Sequence, residues 1–353
     1  MLFTPLQLRE VTLRNRIAVS PMCQYSAEDG LANDWHLVHL GSRAVGGAGL
    51  VVVEATAVEP RGRISPGDLG IWNDAQVEPL ARIARFVESQ GAVPCLQLGH
   101  AGRKASTRTP WDQGGAPFGE KDGGWPVVAP SAIPFAPGHP VPTPLDLPGV
   151  AALTRAFVDA AGRASAAGFR AIELHAAHGY LVHQFLSPLA NRREDAYGGS
   201  FENRTRFARE VVTALRGVWP ERLPLLVRVS ATDWVDGGWT IDETVELARS
   251  LRGLGVDLID TSSGGMVATA RVPIGAGYQT AFAERIRREA GIATGTVGMI
   301  TAPEQAEHVL RTGQADVVLL AREMLRDPYW PLHAAPRVHV EAQWPKQYLR
   351  ARN

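Results

Sequence analysis

The segment His175-Ala176-Ala177-His178-Gly179-Tyr180 holds the most suggestive chemistry in the chain. A neutral imidazole offers one N–H donor and one acceptor, so His175 and His178 could aim two N–H groups at one substrate oxygen. Imidazole is also a good zinc ligand, and with His183 the segment reads H-x2-H-x4-H. That second reading, a metal-dependent barrel hydrolase or lyase, asks for a carboxylate at a neighbouring strand end. Glu54 and Glu173 are the available candidates.

Arg228 sits inside the apolar stretch LLVRVS. A guanidinium in a buried strand is costly unless it is paired or used. Its plain role is an ion pair with Glu54 or Glu173; its functional role is contact with an anion or polar cofactor. Gly298-Met299 and Ala321-Arg322 follow two further apolar runs. Backbone N–H groups and a guanidinium there suit a phosphate monoester. No nucleophile elbow or carboxylate triad is visible. The residues together suggest a phosphate-bearing cofactor beside a neutral, hydrogen-bonding pocket.

The elements carrying these residues repeat a simple alternation. Ile17–Ser20, Leu50–Thr56, Val93–Leu98, Ala171–His175, Leu225–Val229, Leu258–Ser262, Ile292–Val297 and Val317–Leu320 read as strands. Stretches of helical period lie between most of them: 77–90, 150–167, 203–219, 241–254, 281–290 and 303–312. Gly91, Gly168, Gly255, Gly291 and Gly313 stand where helices should stop in a left-handed residue. Eight such units predict an α/β fold, a single (β/α)8 TIM barrel spanning residues 1–353. A dinucleotide-binding sheet is disfavoured, because no G-x-G-x-x-G follows a strand. Long loops follow strand 3 (about 99–147) and strand 4 (176–200), and a tail covers about 337–353. Loops after strands form the catalytic face of a barrel. Aromatic residues Trp111, Phe118, Trp125 and Phe135 argue that part of the first loop packs.

The chain has 353 residues, with 36 Lys+Arg against 36 Asp+Glu and 45% hydrophobic residues. Zero formal charge argues against a general nucleic-acid binder. Cys23 and Cys95 are the only cysteines, too few for a thiolate-bound iron–sulfur cluster. Arg9, Glu10, Arg14 and Arg16 break any apolar leader, and no run approaches membrane-spanning length. A cytoplasmic protein with a small-molecule substrate is expected.

The order of motifs resembles the old yellow enzyme family, in its bacterial NADPH dehydrogenase and xenobiotic reductase subgroup. The resemblance rests on Ser20-Pro21-Met22-Cys23-Gln24-Tyr25, Trp35-His36-Leu37-Val38-His39, Gln97-Leu98-Gly99-His100-Ala101-Gly102-Arg103-Lys104 and Glu173 to Leu181. It is most specific from Gln184-Phe185-Leu186-Ser187-Pro188 through Asn191-Arg192-Arg193 to Glu202-Asn203-Arg204. It implies an FMN-dependent ene-reductase working by a ping-pong cycle, with NADPH or NADH as reductant and an activated alkene as oxidant. Carried over by position, Ser20, Pro21, Met22, Cys23 and Ala55 line the flavin. Gln97 and Arg228 would bind its pyrimidine edge. Gly298, Met299, Ala321 and Arg322 would hold its phosphate; Ala321 stands where the family usually has Gly. His175, His178, Tyr180 and Tyr25 would meet substrate, with Tyr180 as proton donor and Cys23 tuning the flavin without acting as a nucleophile. No metal is implied. Arg103, Lys104 and Arg108 are candidates for reading a 2′-phosphate. Gln347-Tyr348-Leu349-Arg350 implies a homodimer or homotetramer in which Arg350 reaches the neighbouring active site.

Overall fold

Short runs rich in Val, Leu and Ile, each opened or closed by Gly or Pro, favour extended backbone over helix. In the computed structural model, which describes residues 1–352, eight such runs become strands: Ile17–Val19 (β1), Leu50–Ala57 (β2), Val93–Gly99 (β3), Ala171–Ala176 (β4), Leu225–Ser230 (β5), Leu258–Ser262 (β6), Ala293–Thr296 (β7) and Val317–Leu320 (β8). Each pairs in parallel with the next, and β8 returns to β1, so the sheet closes into the expected barrel. Closure removes every free edge from this sheet.

The register decides which polar side chains meet. Gln97 on β3 lies opposite Glu173 on β4, His175 opposite Arg228 on β5, and Arg228 opposite Asp260 on β6. A belt of polar residues therefore crosses three strand junctions near the C-terminal ends of the strands. Below and around it the core is aliphatic, from Ile17, Val51 and Leu96 through Ile172, Val227 and Ile259 to Leu319.

The helices Asp34–Val45 (α1), Val77–Ser89 (α2), Leu147–Ala166 (α3), Leu181–Leu186 (α4), Phe201–Val218 (α5), Ile241–Gly253 (α6), Thr280–Ala290 (α7), Pro303–Arg311 (α8), Arg322–Arg326 (α9) and Trp330–Arg337 (α10) complete the alternation. The five glycines expected as helix stops all adopt positive φ, between 64° and 90°. Helix α1 was not anticipated. Its interior Gly41 and the following Gly46 and Gly47 dilute the periodic signal, yet Asn33 and His36 form a reciprocal cap at its start. An antiparallel hairpin, Leu6–Leu8 with Val11–Leu13, precedes the barrel and was also unforeseen. Among the described residues no helix is long and apolar enough to cross a membrane.

The loop after β3 is largely packed. Trp125 donates its indole N–H to Arg61 O at 3.0 Å. The Arg63 guanidinium lies 4.8 Å from the Trp125 ring centroid and 5.4 Å from that of Trp72. Trp111 is the exception, at 71% exposed. Cys95 is buried as core, and both cysteines are free thiols.

The loop after β4 is clamped from below. Leu181 N donates to His100 O at 2.9 Å, and Gln184 Nε2 donates to Gly179 O at 2.7 Å. Gly179 has φ 72°, and a Cβ there would lie 2.1 Å from Gly265 O in the loop after β6. Only glycine permits this approach. Gly179→Ala is expected to destabilise the fold by about 1–3 kcal/mol from the left-handed backbone alone. A lower thermal midpoint checks this; an unchanged one would show that the two loops separate freely.

Candidate functional site

Tyr180, His175 and His178 come together at the end of β4, as their spacing suggested. The ring centroids of His175 and His178 are 5.1 Å apart, and those of His175 and Tyr180 4.9 Å. His178 Nδ1 lies 3.4 Å from His175 Nε2. Ala177 N donates to His175 Nδ1 at 3.3 Å, which leaves the His175 proton on Nε2. His178 Nε2 lies 2.7 Å from Ser262 Oγ. His178 has φ 59°, a strained backbone for a residue with a Cβ. Ser230 Oγ and Lys104 hold it there, the first accepting from His178 N at 2.9 Å, the second donating to His178 O at 2.9 Å.

Burial first, then the positive charge of Arg228, holds both imidazoles well below the usual histidine pKa. They are therefore neutral hydrogen-bonding groups. Tyr180 is pushed well above the ordinary phenol value, chiefly by burial, so its hydroxyl keeps its proton. That hydroxyl has no hydrogen-bond partner among the described residues.

Cys23 and Tyr25 follow β1 on the same face. Burial, with Asp68 and Glu54 adding repulsion, raises the Cys23 thiol well above its usual range. The same burial favours the thiol over the thiolate. Tyr25 has φ 50° and meets Trp111 edge to face at 5.7 Å. Asp68 is fully buried; burial, then Glu54, pushes its carboxyl up to about 7.

A second part of the site lies at β7 and β8. A cavity of ≈ 230 Å³ is lined by Arg228, Ser262, Tyr278, Gln279, Gly298 and Arg322, with Met299 and Ala321 on its wall. Gly298 has φ 134°, and a Cβ there would meet Tyr278 at 2.8 Å. Met299 also takes a left-handed backbone, φ 50°. The only hydrogen bond of Arg322 among the described residues is a long contact to Met299 Sδ at 4.0 Å. Buried Ser20 Oγ lacks a hydrogen-bond partner, and Arg228 Nε, 3.2 Å from Asp260 Oδ2, makes an ion pair without hydrogen-bond geometry. A free guanidinium, a backbone cradle that only glycine permits and orphaned polar atoms are what a phosphate-bearing polar cofactor would complete. Ser262 joins the two parts, since it lines this cavity and touches His178. Tyr278 and Gln279 were not foreseen: they sit in the loop before α7, outside any strand end or motif.

Three expectations need correction. Arg228 pairs with Asp260, Nε to Oδ2 at 3.2 Å, and not with Glu54 or Glu173. Glu54 instead contacts His36 at 3.4 Å and accepts from Gln24 N at 2.9 Å. The histidine metal site does not form: His183 turns away to Asp233 at 3.1 Å, and no metal-binding group of three or more His, Cys, Asp or Glu exists among the described residues. Of the 2′-phosphate candidates, Arg103 is buried against Met266 O at 2.7 Å, and Lys104 holds His178 O and Gly265 O. Arg108 pairs with Asp112. Arg350 is exposed, and Asn353 at the end of its tail lies outside the described residues.

Comparison with known proteins agrees with this arrangement. Residues 1–341 match the model of the NADH:flavin oxidoreductase / NADH oxidase family. An NADPH dehydrogenase of Geobacillus thermodenitrificans is 48% identical over 352 residues, covering 99% of this chain and 98% of the relative. The structure of morphinone reductase in complex with tetrahydroNAD superposes with a TM-score of 0.80 at 28% identity, over 98% of this chain and 92% of that one. The old yellow enzyme homologue from Zymomonas mobilis gives a TM-score of 0.80 at 26% identity, over 99% and 96%. Fold and site thus define a flavin-dependent oxidoreductase barrel. The chain belongs to the NADH:flavin oxidoreductase family, that of the old yellow enzymes, and takes FMN as cofactor and a nicotinamide as reductant.

The neutral imidazoles have a measurable consequence. The rate of NADPH oxidation is expected to show no inflection near the ordinary histidine value of about 6.5. By linkage, these two residues favour the fold above that value. Their contribution is lost as pH falls, because the unfolded chain then binds protons the folded one refuses. An inflection in the pH–rate profile that disappears in His178→Ala would contradict this.

Proposed function

We propose that the protein is an ene-reductase, reducing the activated C=C bond of α,β-unsaturated carbonyl or nitro compounds in a ping-pong cycle. The observation that carries this reading is the pair of neutral imidazoles with nitrogens 3.4 Å apart beside a tyrosine hydroxyl that has no partner. Such a site polarises a carbonyl and supplies one proton.

Ser20 to Cys23 and Ala55 line the flavin in this reading. Gln97 and Arg228 meet its pyrimidine edge, and Gly298, Met299, Ala321 and Arg322 hold its phosphate. Bound FMN supplies two-electron redox chemistry between nicotinamide and alkene. The protein does the rest. His175 Nε2–H donates to the substrate oxygen. His178, whose Nδ1 lies 3.4 Å from His175 Nε2, serves as the second donor. Both donors strengthen as the oxygen gains enolate-like charge, which is where electrostatic catalysis acts. Tyr180 delivers the proton to the α-carbon, a centre basic enough to take it from a phenol. Tyr25, with Trp111 against it, walls the substrate space.

The tail supports an oligomer in which Arg350 enters the neighbouring subunit's site, in a homodimer or homotetramer. Tyr348 is 40% and Leu349 49% exposed, and Arg350 has no hydrogen-bond or ion partner among the described residues.

His178→Ala is expected to slow reduction of 2-cyclohexen-1-one by roughly 10²–10³-fold, or about 3–4 kcal/mol. A rate within about threefold of wild type would remove the donor role. Arg350→Ala is expected to raise KM for the alkene while leaving FMN content unchanged. An unchanged KM would detach the tail from the active site.

A further inference from the structure

Beneath the site lies a group of buried charges that the mechanism above does not use. Glu173 and Asp260 are both 0% exposed, on strands that flank Arg228. Gln97 Nε2 donates to Glu173 Oε1 at 2.8 Å. Arg228 Nε approaches Asp260 Oδ2 at 3.2 Å. Each residue proposed to hold the cofactor's pyrimidine edge is therefore backed by its own carboxyl. Glu173 Oε2 and both Asp260 oxygens have no hydrogen-bond partner.

We propose that Glu173 is a positioning residue which, by accepting the Gln97 amide N–H, fixes the edge that Gln97 presents to the cofactor. The inference rests on the placement of the flavin edge against Gln97 and Arg228 given above. A side-chain amide has two nearly isosteric ends, one donor and one acceptor, and a symmetric pocket would hold it either way. Glu173 Oε1 breaks that symmetry. With Nε2 held by the carboxyl, the carbonyl end of Gln97 is turned away from Glu173 and is free to accept an N–H from the cofactor.

The proton count in this group follows from its burial. The charged and titratable groups around Glu173 are Arg228 on β5, Asp260 on β6 and Cys95 on β3; His175, two residues along β4, is neutral. One permanent cation cannot balance two buried carboxylates. Asp260 is the one in contact with Arg228. Glu173 carries the proton on its unpartnered Oε2 near neutral pH. Burial and the Asp260 charge push its carboxyl up to about 8. Above that value Glu173 ionises, and a negative charge appears under the edge where reduction of the cofactor places more.

The test is a set of FMN dissociation constants on purified apoprotein reconstituted with FMN. Glu173→Leu is expected to weaken binding about tenfold, because Gln97 loses its fixed partner. Glu173→Gln keeps the acceptor and should restore affinity to within about threefold of wild type. Gln97→Leu should weaken binding as well, and the double variant Gln97→Leu/Glu173→Leu no more than Gln97→Leu alone. Losses that multiply, or wild-type affinity in Glu173→Leu, would overturn the positioning role. An unaffected Gln97→Leu would overturn the placement of the cofactor edge itself, and this inference with it. If Glu173→Leu does not fold, Glu173→Met, which keeps the volume and removes the carboxyl oxygens, is read in its place: a loss of about tenfold in FMN affinity is expected, and wild-type affinity would overturn the positioning role.

Discussion

One buried guanidinium orders the upper barrel. Arg228 sits in β5, between β4 and β6, and is 5% exposed. Asp260 answers its charge from one side. Its field, added to burial, keeps His175 and His178 neutral on the other. Its unpaired face lines the cavity that ends at Arg322. A pair of neutral imidazoles and a cavity with a guanidinium in its wall are thus two effects of one charge. The cost of burying that charge also constrains what can surround it: small or polar residues, with carboxyls limited to the number the charge can balance.

The second constraint is the way the loops after β3, β4 and β6 are held. His178 is kept in a left-handed backbone by bonds from two directions, one from β5 through Ser230 and one from the β3 loop through Lys104. The same Lys104 also binds Gly265 O, and Arg103 beside it binds Met266 O. The two basic residues therefore tie the loops after β3, β4 and β6 into one unit. This explains why they are unavailable for a nicotinamide phosphate. It also explains why Gly179 must lack a side chain, since the loops meet backbone to backbone at that point.

Much of this was legible in the chain itself, and the reasons are local. Seven of the eight barrel strands are short apolar runs, β7 with Ala-Thr-Gly-Thr being the exception, and each expected helix stop is a glycine that the structure places at positive φ. His175, His178 and Tyr180 cluster because they are close in sequence at the end of one strand. What was not legible depends on partners far apart in the chain. Asp260 looks like any polar residue in LIDTS; only the register of β6 against β5 brings it, and not Glu54 or Glu173, to Arg228. Tyr278 and Gln279 reach the cavity at β7 and β8 from a loop without a motif. Helix α1 was hidden by its own glycines. His183 looked like a third ligand in H-x2-H-x4-H, but in α4 it faces Asp233 instead.

The proposed function requires that this barrel pass electrons from a nicotinamide to an activated alkene through FMN. The most direct test is the visible absorption spectrum of the purified protein under anaerobic conditions, followed through two additions. NADPH should bleach a flavin band near ~450 nm, and 2-cyclohexen-1-one should then restore it, with one alkene reduced per flavin. A flavin that bleaches with NADPH but is reoxidised only by oxygen, never by the enone, would contradict the claim.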